Sequence, residues 1–176
     1  MKGLGRRAAA CAWLCVCAAT ATAQVVTESS LKAAFVHNFV KFTSWPADIL
    51  PRSAPLVACV VGDQAFAGVL GKYVRGRPVD GHDIVVQTIA IGAPLRSCHL
   101  VYVSGLTGSR AAEVAASLNG SPVLTLSDID QFAHGGGMVQ FYGDQGELRF
   151  RVNLVNTKRS GLQLGSQLLS LATIIK

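Results

Sequence analysis

Four short apolar runs set the most constraint on this chain: Leu56-Val57-Ala58-Cys59-Val60-Val61, Ile84 to Ile89, His99 to Val103, and Pro122 to Leu126. Each is bounded by turn residues and reads as a strand, and the continuous apolar run Leu56 to Val61 reads as one buried on both faces, as strands of parallel sheets are. Parallel neighbours cannot be joined by a tight hairpin and need crossovers, usually helical. The intervening sequence offers them. After Gly62-Asp63 a helix is expected from about Gln64 to Tyr73, and the alanine-rich stretch Arg110 to Leu118 supplies another. Arg77-Pro78, Gly81-His82 and Ser104 to Gly108 are loop or turn material. A helical turn to Phe132 is expected after Ser127-Asp128, with the aspartates there read as caps.

The pattern then changes from runs to alternation. Met138 to Tyr142 and Leu148 to Val152 flank Gly143-Asp144-Gln145-Gly146, which reads as a β-hairpin whose Gly and Asp suit positive φ. On its second strand Arg149 and Arg151 share one face, while Leu148, Phe150 and Val152 share the other. One side of this hairpin is therefore expected to be wet, at a sheet edge or against a partner. From Leu154 to Ile175 the apolar spacing predicts helix with a break near Gly161. At the other end, Leu31, Ala34, Phe35, Val36, Phe39 and Phe42 recur at helical spacing behind a Thr27 cap, with Glu28 in the first turn. Trp45-Pro46 ends that helix, leaving Trp45 extended with its ring folded back. The expected fold is a single α/β domain with a mostly parallel, mixed sheet, a β-hairpin toward the C-terminal side, and helices on both faces.

Residues 1–23 differ in kind. Lys2, Arg6 and Arg7 precede a short apolar run from Ala8 to Ala19, and Ala21-Thr22-Ala23 places small residues where a signal peptidase reads them. The run is shorter than the roughly 20 residues a membrane span needs. Residues 1–23 are thus expected to be a cleaved signal peptide, and residues 24–176, starting at Gln24, the exported domain. The alternative of acylation at Cys11, Cys15 or Cys17 lacks a complete apolar region before any of them. Removal of the signal takes three basic residues and no acidic ones, leaving thirteen Lys and Arg against ten Asp and Glu, or +3. There is no basic stripe interleaved with aromatics, so nucleic acid is not an expected partner. Only Cys59 and Cys98 remain in the exported part. An even count in an oxidising compartment suggests one disulfide, and two buried thiols are the alternative.

Tests for chemistry come back negative. His134-Gly135-Gly136-Gly137 has the look of an esterase oxyanion loop, but no G-x-S-x-G nucleophile motif occurs. Gly71-Lys72 is followed by Tyr73, not by the Ser or Thr of a phosphate loop, and no G-x-G-x-x-G follows a strand. His37, His82, His99 and His134 are scattered without metal-ligand spacing, and His37 is expected to pack among the phenylalanines. The expectation is a binding protein with no catalytic residues, no metal and no cofactor.

Several segments together resemble the YfiR family of periplasmic regulators. They are Glu28 with Leu31-Lys32-Ala33-Ala34-Phe35, Asn38-Phe39, Lys41-Phe42 and Trp45-Pro46; Val60-Val61-Gly62-Asp63; Cys98; Val123-Leu124-Thr125; Gly136-Gly137-Met138-Val139; and Phe150, Asn153, Gly161-Leu162, Leu168-Leu169 and Leu171-Ala172. They run in order over nearly the whole exported chain. The resemblance implies a periplasmic α/β protein that represses an inner-membrane diguanylate cyclase of the YfiN type by docking on its periplasmic sensor region, lowering cyclic-di-GMP output and biofilm formation. It also implies a disulfide at Cys59 and Cys98. A second cysteine pair that some members carry is absent, its positions holding residues such as Ala133 and Gln140. Adjacent parallel strands about 4.8 Å apart would bring Cys59 and Cys98 within bonding reach. Arg149 and Arg151 are the candidate partner-facing residues. The sequence leaves open a homo-oligomer and, as the other class of function, a small-molecule ligand held without a cyclase partner.

Overall fold

The computed structural model describes residues 27–175, so the expected signal peptide and the cleavage site before Gln24 lie outside the described residues. Helix α1 (Glu28–Lys41) starts where Thr27 accepts a hydrogen bond from the Ser30 N–H through its side chain. It leads into a two-residue strand, β1 (Thr43–Ser44). The four apolar runs all become strands: β2 (Leu56–Val61), β3 (Ile84–Ile89), β4 (Leu100–Val103) and β5 (Leu124–Ser127). Between them lie α2 (Gln64–Val74), capped by the Asp63 carboxylate, and α3 (Gly108–Ser117), capped by the Thr107 hydroxyl. The hairpin follows as β6 (Val139–Asp144) and β7 (Glu147–Asn153). Its turn is the two residues Gln145 and Gly146, at φ 49° and 84°. Two successive positive φ values are what a type I′ turn needs to match strand twist.

The C-terminal stretch departs from the helical expectation. Only α4 (Leu154–Arg159) and one turn of α5 (Ser166–Leu169) are helical, while Gln163–Leu164 form β8 and Thr173–Ile175 form β9. β8 pairs antiparallel with β1, and β9 pairs parallel with β7 through Arg151↔Thr173 and Val152↔Ile174. The open edge of β7 offers ladder hydrogen bonds to a β-branched Thr-Ile-Ile segment, and that tertiary offer outweighs the helical spacing of the leucines before it. The main sheet therefore has seven strands in the order β3-β2-β4-β5-β6-β7-β9, parallel except for β6 against β7.

Helices cover both faces. Ala33, Val36, Phe39 and Val40 of α1 and Phe66, Leu70 and Val74 of α2 close one core over Leu100, Tyr102, Leu124, Phe141 and Phe150. Phe39 meets the Phe141 and Phe150 rings edge-on at centroid distances of 5.8 and 5.0 Å. Truncation of such a buried ring costs about 3–5 kcal/mol. On the opposite face Ala111, Val114 and Ala115 of α3 pack with Val61, Val101, Val103 and Phe132 around the two cysteines. Trp45 does not simply fold onto α1. Its indole N–H donates to the His99 carbonyl at 3.1 Å, tying the end of α1 to the start of β4.

Candidate functional site

Cys59 in β2 and Cys98 just before β4 are joined as a disulfide, with Cα atoms 5.9 Å apart and a separation of 39 positions in sequence. β2 and β4 are adjacent and parallel, which brings the two residues together. Both are buried, at 0% and 3% exposure, so a soluble reductant reaches the bond only after the fold opens.

The sheet order reverses at β2, with β3 on one side and β4 on the other. In open α/β sheets the carboxyl ends of the strands at such a reversal commonly form a ligand crevice. Here that crevice is shut. Gly62 sits at φ +90°, and a Cβ on it would run into the Ser104 carbonyl oxygen and the Leu106 side chain. The two loops touch, and Leu106 fills the gap. The glycine loop after Phe132 is also committed: the Gly135 N–H donates to Gln131 O and the Gly137 N–H to Phe132 O. Buried Gln140 accepts from the Ala133 N–H and donates to Asp130, and Asn153 donates to Ala133 O. These bonds brace the loop from inside, so its N–H groups do not converge on an external oxyanion. Among the described residues no group of three His, Cys, Asp or Glu could hold a metal.

Polar groups are placed unexpectedly elsewhere. Asp128 is not a helix cap; the Ser127 hydroxyl takes that local role by accepting from the Ile129 N–H. Asp128 instead accepts from the Lys32 ammonium at 2.7 Å, and Lys32 also reaches Glu28 at 2.6 Å. Burial works to lower the Lys32 pKa, but hydrogen bonds to Asp128 and Glu28 outweigh it and hold the ammonium above its ordinary value. Nearby Tyr102 is fully buried, and its hydroxyl meets no acceptor in hydrogen-bonding geometry. Burial, reinforced by the charge of Asp128, pushes its pKa well above that of an ordinary phenol. His37 packs against Tyr73 and the Arg77 carbonyl, not among the phenylalanines.

The β7 end of the sheet carries two unlike faces. On one, the Arg151 guanidinium lies 4.0 Å from the Tyr142 ring centroid, and the Tyr142 hydroxyl meets the Thr173 hydroxyl at 2.9 Å. Arg149 pairs with Asp144 at 3.2 Å and Glu147 at 2.9 Å, and all three side chains are about half exposed or more. This is the wet face that the alternation of β7 implied. On the other, a groove of about 160 Å³ runs between α1, β7 and α5, lined by Phe35, Phe39, Phe42, Phe150, Leu168 and Leu171. Leu171 is 73% exposed, and Ile174 of β9 is 40% exposed. Sequence reading missed this apolar edge, because the groove forms only where α1, β7 and the α5 segment, far apart in sequence, come together.

A family model described as YfiR/HmsC-like matches residues 29–173. The chain belongs to the YfiR/HmsC-like family. The match spans α1 through the start of β9, so it takes in both cores, the disulfide and the two faces at the β7 end. YfiR/HmsC-like proteins are periplasmic regulators rather than enzymes. No helix among the described residues is long and apolar enough to cross a membrane.

Proposed function

We propose that this protein is exported by cleavage after Ala23 and represses an inner-membrane diguanylate cyclase of the YfiN type, docking on its periplasmic sensor region and lowering cyclic-di-GMP signalling and biofilm formation. Family membership supports the class of function. The observation that carries the docking is the exposed apolar edge of Leu171 and Ile174 beside an aromatic groove, at the same end of the sheet as the Arg149 and Arg151 face. Contiguous exposed apolar surface rimmed by polar groups is how protein interfaces present themselves, and aromatic and Arg side chains are their usual anchors.

The test is capture from membranes by the mature protein, identified by mass spectrometry, followed by direct binding to the captured protein's periplasmic region. Recovery of a membrane protein with a diguanylate cyclase domain, and loss of its binding with Leu171→Asp, is the expected result. Capture of no such cyclase would overturn the reading. A second reading, a small-molecule binder, has one observation in its favour: a cavity of about 430 Å³ between residues 91–96 and α3, lined by Leu95, Val114 and Leu118 with Arg96, Arg110 and Glu113 at its rim. That volume lies within the range of about 300–1,000 Å³ typical of ligand pockets.

A further inference from the structure

α2 joins β2 to β3 and α3 joins β4 to β5, whereas β3 reaches β4 through residues 90–99 without a helix. A crossover between parallel strands is usually helical. Here Gly92, at φ 87°, and Pro94 stand where such a helix would run. Two turns hold the segment instead, the Ala93 N–H donating to Ala90 O and the Cys98 N–H to Leu95 O. Leu95 and Cys98 pack into the same core as Val114 and Leu118, so the absent helix would have lain beside α3. Its place is the groove of about 430 Å³ between residues 91–96 and α3.

The floor of this groove is aliphatic, with Leu95, Val114 and Leu118 at 8%, 9% and 2% exposure, and Ile91 stands 51% exposed on its wall. None of its lining residues is aromatic, so nothing in it selects a stacked ring. The rim sets Arg96 and Arg110 against Glu113, a net charge of +1. The ion pairs among the described residues involve only Lys32 and Arg149 as cations, so no carboxylate neutralises either rim guanidinium. Arg110 also stands in the first turn of α3, where the helix dipole disfavours a cation. An anion held between the two guanidiniums relieves both conditions.

We infer that this groove binds a free fatty acyl anion of medium length, its chain on the aliphatic floor and its single carboxylate on Arg96 and Arg110. The inference rests on the small-molecule reading of the groove and is independent of cyclase binding. The volume equals that of about fourteen waters at roughly 30 Å³ apiece, which admits one chain of about eight to ten carbons with its head group. One chain fits a free acyl anion and not a two-chain phospholipid. A net rim charge of +1 matches a monoanion, since a second negative charge on the ligand would face Glu113 unpaired.

Isothermal titration calorimetry of the mature protein with octanoate, 1-octanol and octyltrimethylammonium tests this. Octanoate is expected to bind one to one with Kd of about 0.1–1 mM, as its size allows, and the other two about tenfold more weakly or worse. Arg96→Gln combined with Arg110→Gln changes two exposed side chains and is expected to weaken octanoate about tenfold while leaving 1-octanol unchanged. Ser117→Trp places an indole in the groove from an exposed position and is expected to abolish octanoate binding. Should the tryptophan variant misfold, the arginine double variant decides alone. Binding of 1-octanol as tight as that of octanoate, and lost with Ser117→Trp, overturns the anion while leaving the small-molecule reading in place. Octanoate binding indifferent to both variants overturns the site, because the chain then lies on another apolar surface such as the one at Leu171. No binding by any of the probes overturns the inference together with the small-molecule reading of this groove.

Discussion

Loss of the Cys59–Cys98 bond is the perturbation whose size the structure fixes best. The bridge closes a loop of 39 positions. On the chain-entropy model such a loop restricts the unfolded chain by about 4 kcal/mol. That is a large share of the roughly 5–15 kcal/mol by which a domain is stable. For a domain of this size each kcal/mol moves Tm by about 2–4 °C, so a drop of roughly 8–16 °C is expected. The variant of choice is Cys59→Ala with Cys98→Ala, because serine would bury a hydroxyl among Val61, Val101 and Val103 and add a desolvation penalty of its own. Differential scanning calorimetry of wild type and double variant reads the difference, and thiol labelling of denatured, non-reduced wild type checks that both sulfurs are oxidised. A Tm change under about 3 °C would falsify the argument that this loop closure holds the sheet together, and two free thiols per chain would remove its premise. Because both sulfurs are buried, reduction in native buffer is expected to proceed at the rate of opening and not at the rate of an exposed disulfide. Repression should then be lost through depletion of folded protein.

Charge reversal at Arg149 and Arg151 to Glu should reduce cyclase binding by more than it reduces stability, since exposed-face substitutions usually change stability by less than about 0.5 kcal/mol; comparing Tm with partner affinity decides, and unchanged affinity removes this face from the interface. Gly62→Ala should destabilise by about 2 kcal/mol or more, because the residue holds φ +90° and its new methyl meets the Ser104 carbonyl; urea denaturation reads it, and a neutral outcome would mean that the β2 and β4 loops are not pressed together. Tyr102→Phe should be neutral or stabilising by about 1 kcal/mol, as it removes a buried hydroxyl that lacks an acceptor. Tyr102 and Lys32 both have folded pKa values raised above the ordinary 10.0 and 10.5. Their contribution is therefore complete below about pH 10 and declines above it, so a stability profile should fall on the alkaline side and fall less in Tyr102→Phe.

The parts of the fold that were legible in the sequence are those whose signal is local. β2 and β3 were readable at residue resolution because Gly62-Asp63 and Gly81-His82 bound a continuous apolar run and a run rich in β-branched residues, and the hairpin was readable from its period of two. The C-terminal stretch was not, because Leu164, Leu168 and Leu171 fit one long helix, whereas the fold pairs Leu164 with β1 and Thr173–Ile175 with β7, partners that no local pattern reveals. Distance in sequence also hid the apolar groove, whose walls come from α1, β7 and the α5 segment. Asp128 was misread as a cap because its partner, Lys32, lies 96 positions away. The wet face of Arg149 and Arg151 was visible because alternation alone dictates it, whereas the groove between residues 91–96 and α3 depends on strand order, which no local pattern encodes.

The small β1–β8 sheet joins position 43 to position 164, and α1 has its aromatic partners at Phe141 and Phe150. On export as proposed, helix α1 emerges well before these aromatic partners, with only α2 near it in sequence. Contacts so distant in sequence slow folding, because loop closure precedes any gain from them. Until Phe141 and Phe150 follow, Phe35 and Phe39 lack their ring partners while the uncharged strand Ile84 to Ile89 is also unpacked, a combination prone to association. The yield of native protein after export is therefore set by a race between chain completion and self-association. Holdase capacity in the compartment should affect it more than any gain in final stability.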